Sequence, residues 1–226
     1  LAQADAAMYR GKGTGGNAVS FFEAGMELAA IQRAQIESDL CKAIADGKIK
    51  PFYQPLVDLR DGRILGFEAL ARWHMADGTM RMPDDFIAIA EESGLISDLF
   101  FAVLKAAALE AKNWPDELHL AVNLSPVQFG DDWLVERILQ TLLDVGVAPG
   151  RLEIEITESA LVSDLDAARN VILSLKNQGI RISLDDFGTG YSSLRHLSEL
   201  PFDKLKIDRS FVRGIETNSA SQSIVR

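Results

Sequence analysis

The chain has 226 residues, 23 basic against 33 acidic, for a formal charge of −10, and 47% of its side chains are apolar. That balance belongs to an ordinary globular domain and excludes a disordered tail, a collagen repeat and a coiled-coil rod. It also argues against unaided binding of a nucleic-acid polymer, which needs clustered Lys and Arg, so something other than net charge must neutralise any phosphate ester handled here, and a bound divalent cation would do so. No apolar run approaches the ~20 residues of a bilayer span, and the N-terminus lacks a signal-peptide pattern. The single Cys41 allows no internal disulfide and fits a reducing compartment. The expected location is the cytoplasm, with any membrane tether of a larger parent outside this segment.

In chain order, Ala4 to Arg10 read as a helix, Gly11 to Gly16 as a turn and Ala18–Phe22 as a strand. The GKGTGG turn is not a phosphate loop, because Lys12 is followed by Gly13 rather than Ser or Thr. A helix and one strand bury no core, so residues 1–24 are expected to be the last piece of an upstream domain. Leu28, Ile31, Ile36 and Leu40 recur at helical spacing, and Gly47 closes a connector helix over 25–47. From residue 48 strands alternate with helices. Strands are predicted at Phe52–Val57, Ile64–Ala71, Leu118–Asn123, Leu152–Thr157, Arg181–Asp185 and Lys204–Ile207, and helices near 84–92, 98–113, 131–145, 164–178 and 191–199. This is the rhythm of βαβ units and a mainly parallel sheet, open or closed as a (β/α)₈ barrel. Six strands fall short of a barrel that usually takes about 250 residues. The expectation is a TIM-like barrel truncated after about six strands.

Oxygen-bearing side chains gather near the C-terminal ends of these strands, where barrel enzymes place their chemistry. Glu68, Asn123, Glu155, the Asp185-Asp186 pair, Lys206 and Asp208 are the candidates. Strand alternation puts Leu152, Ile154 and Ile156 on one face and Glu153, Glu155 and Thr157 on the other. A carboxylate in a strand covered on both sides is costly unless paired or metal-bound. Glu153 reads as a structural ion-pair member. Asp185 and Asp186 can share a site only if the strand ends and turns there, and the glycines of Phe187-Gly188-Thr189-Gly190 permit that turn. Glu68, Asn123, Glu155 and Asp185 are hard oxygen donors with no Cys or His among them, which selects Mg²⁺, Mn²⁺ or Ca²⁺ over zinc. His74, His119 and His196 form no metal-binding pair, and no G-x-S-x-G elbow occurs.

Six ordered motifs carry a resemblance: FYQPLVDL (52–59), EALARW (68–73), AVNLS (121–125), EITES (155–159), DDFGTGYSSL (185–194) and LKIDRSF (205–211). From about residue 33 onward the chain resembles EAL-domain cyclic di-GMP phosphodiesterases, and its opening is similar to the C-terminal tail of a GGDEF (diguanylate cyclase) domain. The resemblance implies an EAL barrel over 48–226 and a parent protein with tandem GGDEF and EAL domains, sensory domains included. It implies two Mg²⁺ or Mn²⁺ ions, with Glu68, Asn123, Glu155 and Asp185 on the first, and Asp185 and Asp186 reaching the second. Lys206 would hold the attacking water, and Asp208 would orient Lys206. Gln54 and Arg72 would contact the dinucleotide, with Arg72 on a phosphate. Glu158 would anchor the Asp185–Leu194 loop, and the domain would pair as a homodimer. The implied reaction is hydrolysis of cyclic di-GMP to linear pGpG.

Two family elements, a later Glu behind the second metal and a Gln-Gly segment, fall beyond Arg226. The 226-residue chain by itself is therefore expected to be inactive or poorly soluble, which a turnover assay checks. The alternative class is a non-catalytic cyclic di-GMP receptor. Such domains typically lose a metal ligand or the DDFGTG loop, and both are intact here. An unrelated metal-dependent barrel, such as an enolase-type lyase, does not account for the motif order.

Overall fold

The computed structural model describes residues 24–188, 200–215 and 222. The expected N-terminal helix, glycine turn and strand, the helix at 191–199 and His196 lie outside them. The connector is helix α1 (Ala24–Ala45), followed by strands β1 (Ile49–Val57) and β2 (Ile64–His74). Then come the two-residue β3 (Met80–Arg81), helices α2 (Ile87–Ser93) and α3 (Ile96–Ala111), and β4 (His119–Asn123). Helix α4 (Leu134–Val145), β5 (Leu152–Thr157), α5 (Glu158–Ser163), α6 (Leu165–Asn177), β6 (Arg181–Phe187), β7 (Lys204–Ile207) and α7 (Arg209–Arg213) complete the order. The six predicted strands are all present. The sequence reading missed β3, α5 and α7, each too short to carry a period.

The strands form one sheet in the order β1-β2-β4-β5-β6-β7, with β3 on β2. β1 and β2 are an antiparallel hairpin, whereas β2, β4, β5, β6 and β7 run parallel, with helices in the connections from β2 to β4, β4 to β5 and β5 to β6. Parallel strands need coverage, and the alternation supplies it: Leu120, Val122, Ile154, Ile156, Ile182 and Leu184 are buried in one cluster with Leu104 of α3, Ile138 and Leu142 of α4, and Ile172 and Leu175 of α6. Each such side chain contributes roughly 1.5–3 kcal/mol on burial. The alternate residues build a polar face: Ala121, Glu153, Glu155 and Ser183 are buried there, and Glu153 pairs with Lys204 at 2.6 Å. The ion-pair reading of Glu153 thus holds. Gly66 sits one step below Glu68 on this face because a Cβ there would lie 2.3 Å from the His119 carbonyl oxygen.

Asp203 ties β7 to β6. Its carboxylate accepts the Ile182 N–H at 2.7 Å, its own N–H donates to the Ile182 carbonyl at 2.8 Å, and Lys176 of α6 pairs with it. Burial by itself would raise this carboxyl, but the Lys176 and Ile182 hydrogen bonds outweigh it and hold the group below its ordinary 3.8. The stability Asp203 confers is therefore present above pH 3.8 and lost as pH falls through the lower folded value. Asp203→Ala is expected to cost about 1–3 kcal/mol in urea unfolding at pH 7 and less at pH 3.

Candidate active site

The parallel strands deliver their polar residues from three successive register levels. Glu68 stands level with Ala121, Asn123 with Glu155, and Asp185 with Thr157. Asn123 ends β4, Glu155 and Asp185 lie near the C-terminal ends of β5 and β6, and Glu68 lies midway along β2, short of the strand end the sequence reading gave it. One carboxylate oxygen from each of Glu68, Glu155 and Asp185 lies within 4.8 Å of the others. The Lys206 ammonium, from β7, reaches into this group: 2.7 Å to Glu155 Oε2, 3.0 Å to Asp185 Oδ2 and 3.4 Å to Glu68 Oε2. Asn123 Nδ2 donates to Glu68 Oε1 at 2.8 Å. Sequence reasoning expected these five to converge, and they do.

Asp185 joins the cluster, and the exposed Asp186 follows it through a backbone feature the sequence did not show. The strand does not end at Asp185. It continues to Phe187, and between the pairs Leu184↔Leu205 and Phe187↔Ile207 two residues of β6 oppose the single Lys206. This is a β-bulge, and Asp186 adopts φ 54°, the left-handed region that is unusual for a residue with a side chain. The inserted residue breaks the two-residue alternation that would otherwise send the two carboxylates to opposite faces.

Glu155 carries the electrostatic burden. Its side chain is fully buried and its Oε1 is without a hydrogen-bond partner. Burial, then the neighbouring charges of Glu68 and Asp185, push the carboxyl up to about 8 despite Lys206. Burial alone would lower the Lys206 ammonium. The charge of Glu155, its hydrogen bond, and then Glu68 and Asp185 overcome this and hold it well above the ordinary lysine range. Burial and the charges of Asp185 and Asp208 raise Asp186. Three carboxylates facing one ammonium, with a buried carboxylate oxygen left over, fit a divalent hard cation by donor type, charge and spacing.

The remaining candidates lie around this centre. Gln54 is the cross-strand partner of Glu68 in the β1–β2 hairpin, so the two side chains share a face. Arg72 is four residues beyond Glu68 on β2, about 13 Å along the strand. Its Nη1 donates to the Ala71 carbonyl at 2.8 Å and its guanidinium lies 5.8 Å from the Phe52 ring. Neither touches the carboxylate cluster. Glu158 is buried at the start of α5 and accepts the Gly188 N–H at 2.9 Å. Asp208 does not meet the expectation that it orients Lys206: its carboxylate caps α7, accepting the Ser210 N–H at 2.9 Å. The strand ends one residue earlier, so the side chain turns to the helix instead. Thr189 to Leu194 lie outside the described residues.

Sequence reasoning missed Glu91, whose Oε1 accepts the Ser125 hydroxyl at 2.6 Å and so holds the turn after Asn123 against α2. The Ser125-Pro-Val-Gln128 pattern announces a capped turn, and Ser125 does cap it, but nothing local in the sequence points to Glu91.

Among the described residues no helix is long and apolar enough to cross a membrane. A comparison with protein families matches the EAL domain over residues 37–226. An uncharacterised signalling protein of Caulobacter vibrioides is 44% identical over 226 residues, covering 100% of this chain and 28% of the relative. The bifunctional diguanylate cyclase/cyclic di-GMP phosphodiesterase MucR of Pseudomonas aeruginosa is 38% identical, covering 100% of this chain and 33% of MucR. The chain thus spans about a third of the length of these curated relatives. A solved c-di-GMP complex of the PaMucR phosphodiesterase superposes with a TM-score of 0.79 at 37% identity, covering 84% of this chain and 79% of that one. The Xanthomonas citri FimX EAL domain, solved with c-di-GMP, superposes with a TM-score of 0.76 at 25% identity, over 87% of this chain and 78% of that one. The TIM-barrel-like α/β fold is that of EAL domains, and by motif order, family match and identity this chain belongs to the EAL domain family.

Proposed function

We propose that the protein carrying this chain hydrolyses cyclic di-GMP to linear pGpG with two Mg²⁺ or Mn²⁺ ions. The observation that supports this above others is the fully buried Glu155 carboxylate, with one oxygen unpartnered, within 4.8 Å of Glu68 and Asp185 oxygens. A structural ion pair like that of Glu153 with Lys204 accounts for the oxygen facing Lys206 but leaves the buried Oε1 unexplained. Glu68, Asn123, Glu155 and Asp185 would hold one ion, and Asp185 with the bulged Asp186 would reach the other. Bound there, the ions would supply Lewis-acid stabilisation of charge on the phosphoryl oxygens. Arg72 matches a phosphate with its planar guanidinium fork. Gln54 offers amide groups beside Glu68 to orient the dinucleotide. Lys206, protonated throughout the neutral range, donates hydrogen bonds to the attacking water and keeps its oxygen directed at phosphorus. Glu158 ties down the start of the 185–194 loop through Gly188.

The name of the MucR relative supports extending the reading to a two-domain second-messenger protein with a diguanylate cyclase unit ahead of residue 25. Pairing of two EAL domains and a cytoplasmic location belong to the same proposal.

The test is Mg²⁺-dependent turnover of cyclic di-GMP by the full-length protein, beside its Glu68→Ala variant. The expected result is pGpG formation that stops on chelation, returns with Mg²⁺, and is lost in the variant. Tight binding of cyclic di-GMP without turnover would replace the enzyme reading with that of a receptor.

A further inference from the structure

The bulge at Asp185 and Asp186 is pinned locally by the Asp186 N–H, which donates to Asp185 Oδ1 at 2.9 Å, and the left-handed Asp186, a conformation aspartate visits at modest cost, is held further by its surroundings. The peptide that follows it, Phe187–Gly188, is gripped from three sides. The Gly188 N–H donates to Glu158 of α5 at 2.9 Å. The Phe187 carbonyl accepts the Asp208 N–H at 3.4 Å. The third grip is the Phe211 ring of α7. A Cβ on Gly188 would lie 2.7 Å from Phe211 Cε2 and 3.0 Å from Cζ, so the ring occupies the space a side chain would need. Gly188 itself has φ 99°, a conformation that glycine adopts without penalty.

Two of these grips, the Asp208 amide and the Phe211 ring, come from the segment immediately after β7, the strand that carries Lys206. Asp208 caps α7, and Phe211 N–H returns to the Asp208 carbonyl at 3.1 Å, so the ring is carried on a closed turn rather than a free loop. The same short segment therefore places Lys206 opposite the bulge and holds the bulge's exit. A shift of Gly188 away from the ring would let the left-handed residue relax and rotate the Asp185 and Asp186 carboxylates from their present directions.

We propose that Phe211 is a positioning residue: its ring, pressed on Gly188, locks the β6 bulge in the geometry that presents Asp185 and Asp186 to a cation. This rests on the metal reading above and adds a residue that touches neither cation nor substrate. Glu158 and Phe211 both act on Gly188, one by a hydrogen bond and one by contact.

The experiment compares wild type, Phe211→Ala, Phe211→Leu and Gly188→Ala in the full-length protein, by amide hydrogen exchange without added metal and by Mn²⁺ binding followed by electron paramagnetic resonance. In Phe211→Ala the Gly188 amide exchanges faster while the Ile154 amide of β5 keeps its protection, and Mn²⁺ dissociation rises about tenfold or more, the range that follows loss of a residue supporting a ligand. Gly188→Ala does the same through backbone strain at its positive φ together with the clash on the ring, and Phe211→Leu, which isolates the contact, restores most of both readouts. Faster exchange at Ile154 as well would mean general loosening and would overturn the proposal. So would Mn²⁺ affinity in Phe211→Ala equal to a wild type that binds the ion. A wild type that takes up no Mn²⁺ overturns the metal reading, and this proposal with it.

Discussion

Glu155→Gln is expected to leave the protein folded, to melt no earlier than its parent once divalent ions are chelated, and to abolish cyclic di-GMP hydrolysis. Glutamine keeps the shape of the side chain and removes its charge. In the parent, burial and the Glu68 and Asp185 charges push this carboxyl from its ordinary 4.5 up to about 8. A folded value above the unfolded one means that the associated stability is complete below pH 4.5 and drains away as pH rises to about 8. The amide has no such loss, so the variant's melting temperature gains on the parent's across that window in chelated buffer. Lys206 still has Asp185 and Glu68 as partners after the change. Activity goes the other way. The unpartnered Oε1 and the oxygen facing Lys206 are the only charged ligand atoms that β5 supplies at this level, and their loss exceeds the ~10–100-fold penalty seen when only a supporting group behind a ligand is removed. Melting curves with EDTA at pH 5 and pH 8, together with kcat under saturating Mg²⁺, separate the two effects. A variant that melts earlier at pH 8, or that still turns over at the parental rate, refutes this account of Glu155.

The contrast between Glu155 and the Asp185-Asp186 pair shows what a sequence of this kind reveals. Glu155 was legible because the apolar residues flanking it obey a strict two-residue alternation, and a charge inside that alternation is an anomaly visible in one dimension. The mainly parallel sheet followed from strands alternating with helices along the chain, whereas the order of the strands and the antiparallel β1–β2 hairpin did not. The bulge was not legible, because an inserted residue changes only which partner each strand residue faces, and pairing is a property of two distant segments. The sequence reading placed the needed flexibility one residue late, at Phe187 and the glycines, whereas the strand absorbs it at Asp186 itself. Phe211 and Glu91 were invisible for the related reason that a contact between a ring and a glycine, or a hydroxyl and a carboxylate 34 residues apart, leaves no local period. Asp208 illustrates the opposite error: its place in a functional motif suggested a partner in Lys206, but an aspartate just ahead of a short helix is equally a cap, and the cap is what the local backbone selects.

Lys206→Met is expected to lower kcat about 10²–10⁴-fold with little change in KM for cyclic di-GMP, the range for losing a group that positions or moves a proton at the reacting atoms. The lysine stands 2.7, 3.0 and 3.4 Å from carboxylates of three different strands, and their charges hold its proton well above the ordinary range despite the desolvation that opposes them. Such an ammonium cannot serve as a base at neutral pH. It can only donate, so its contribution falls on a water or a developing negative charge rather than on the ground-state dinucleotide, and a loss confined to kcat is the consequence. The same geometry bounds the cost in stability. Removing one member of a buried ion pair commonly costs about 3–5 kcal/mol because a charge is stranded. Here the stranded carboxyl already titrates near neutrality and takes up a proton instead, so the penalty stays below that range and grows as pH is raised. Combining Lys206→Met with Glu155→Gln removes the stranded group, and the double variant should be more stable than Lys206→Met alone at pH 8 and equally inactive. Urea unfolding of the two variants at pH 6 and pH 8, set beside steady-state kinetics, tests both halves. A Lys206→Met enzyme with parental kcat, or one whose defect appears only in KM, would remove Lys206 from the reacting centre.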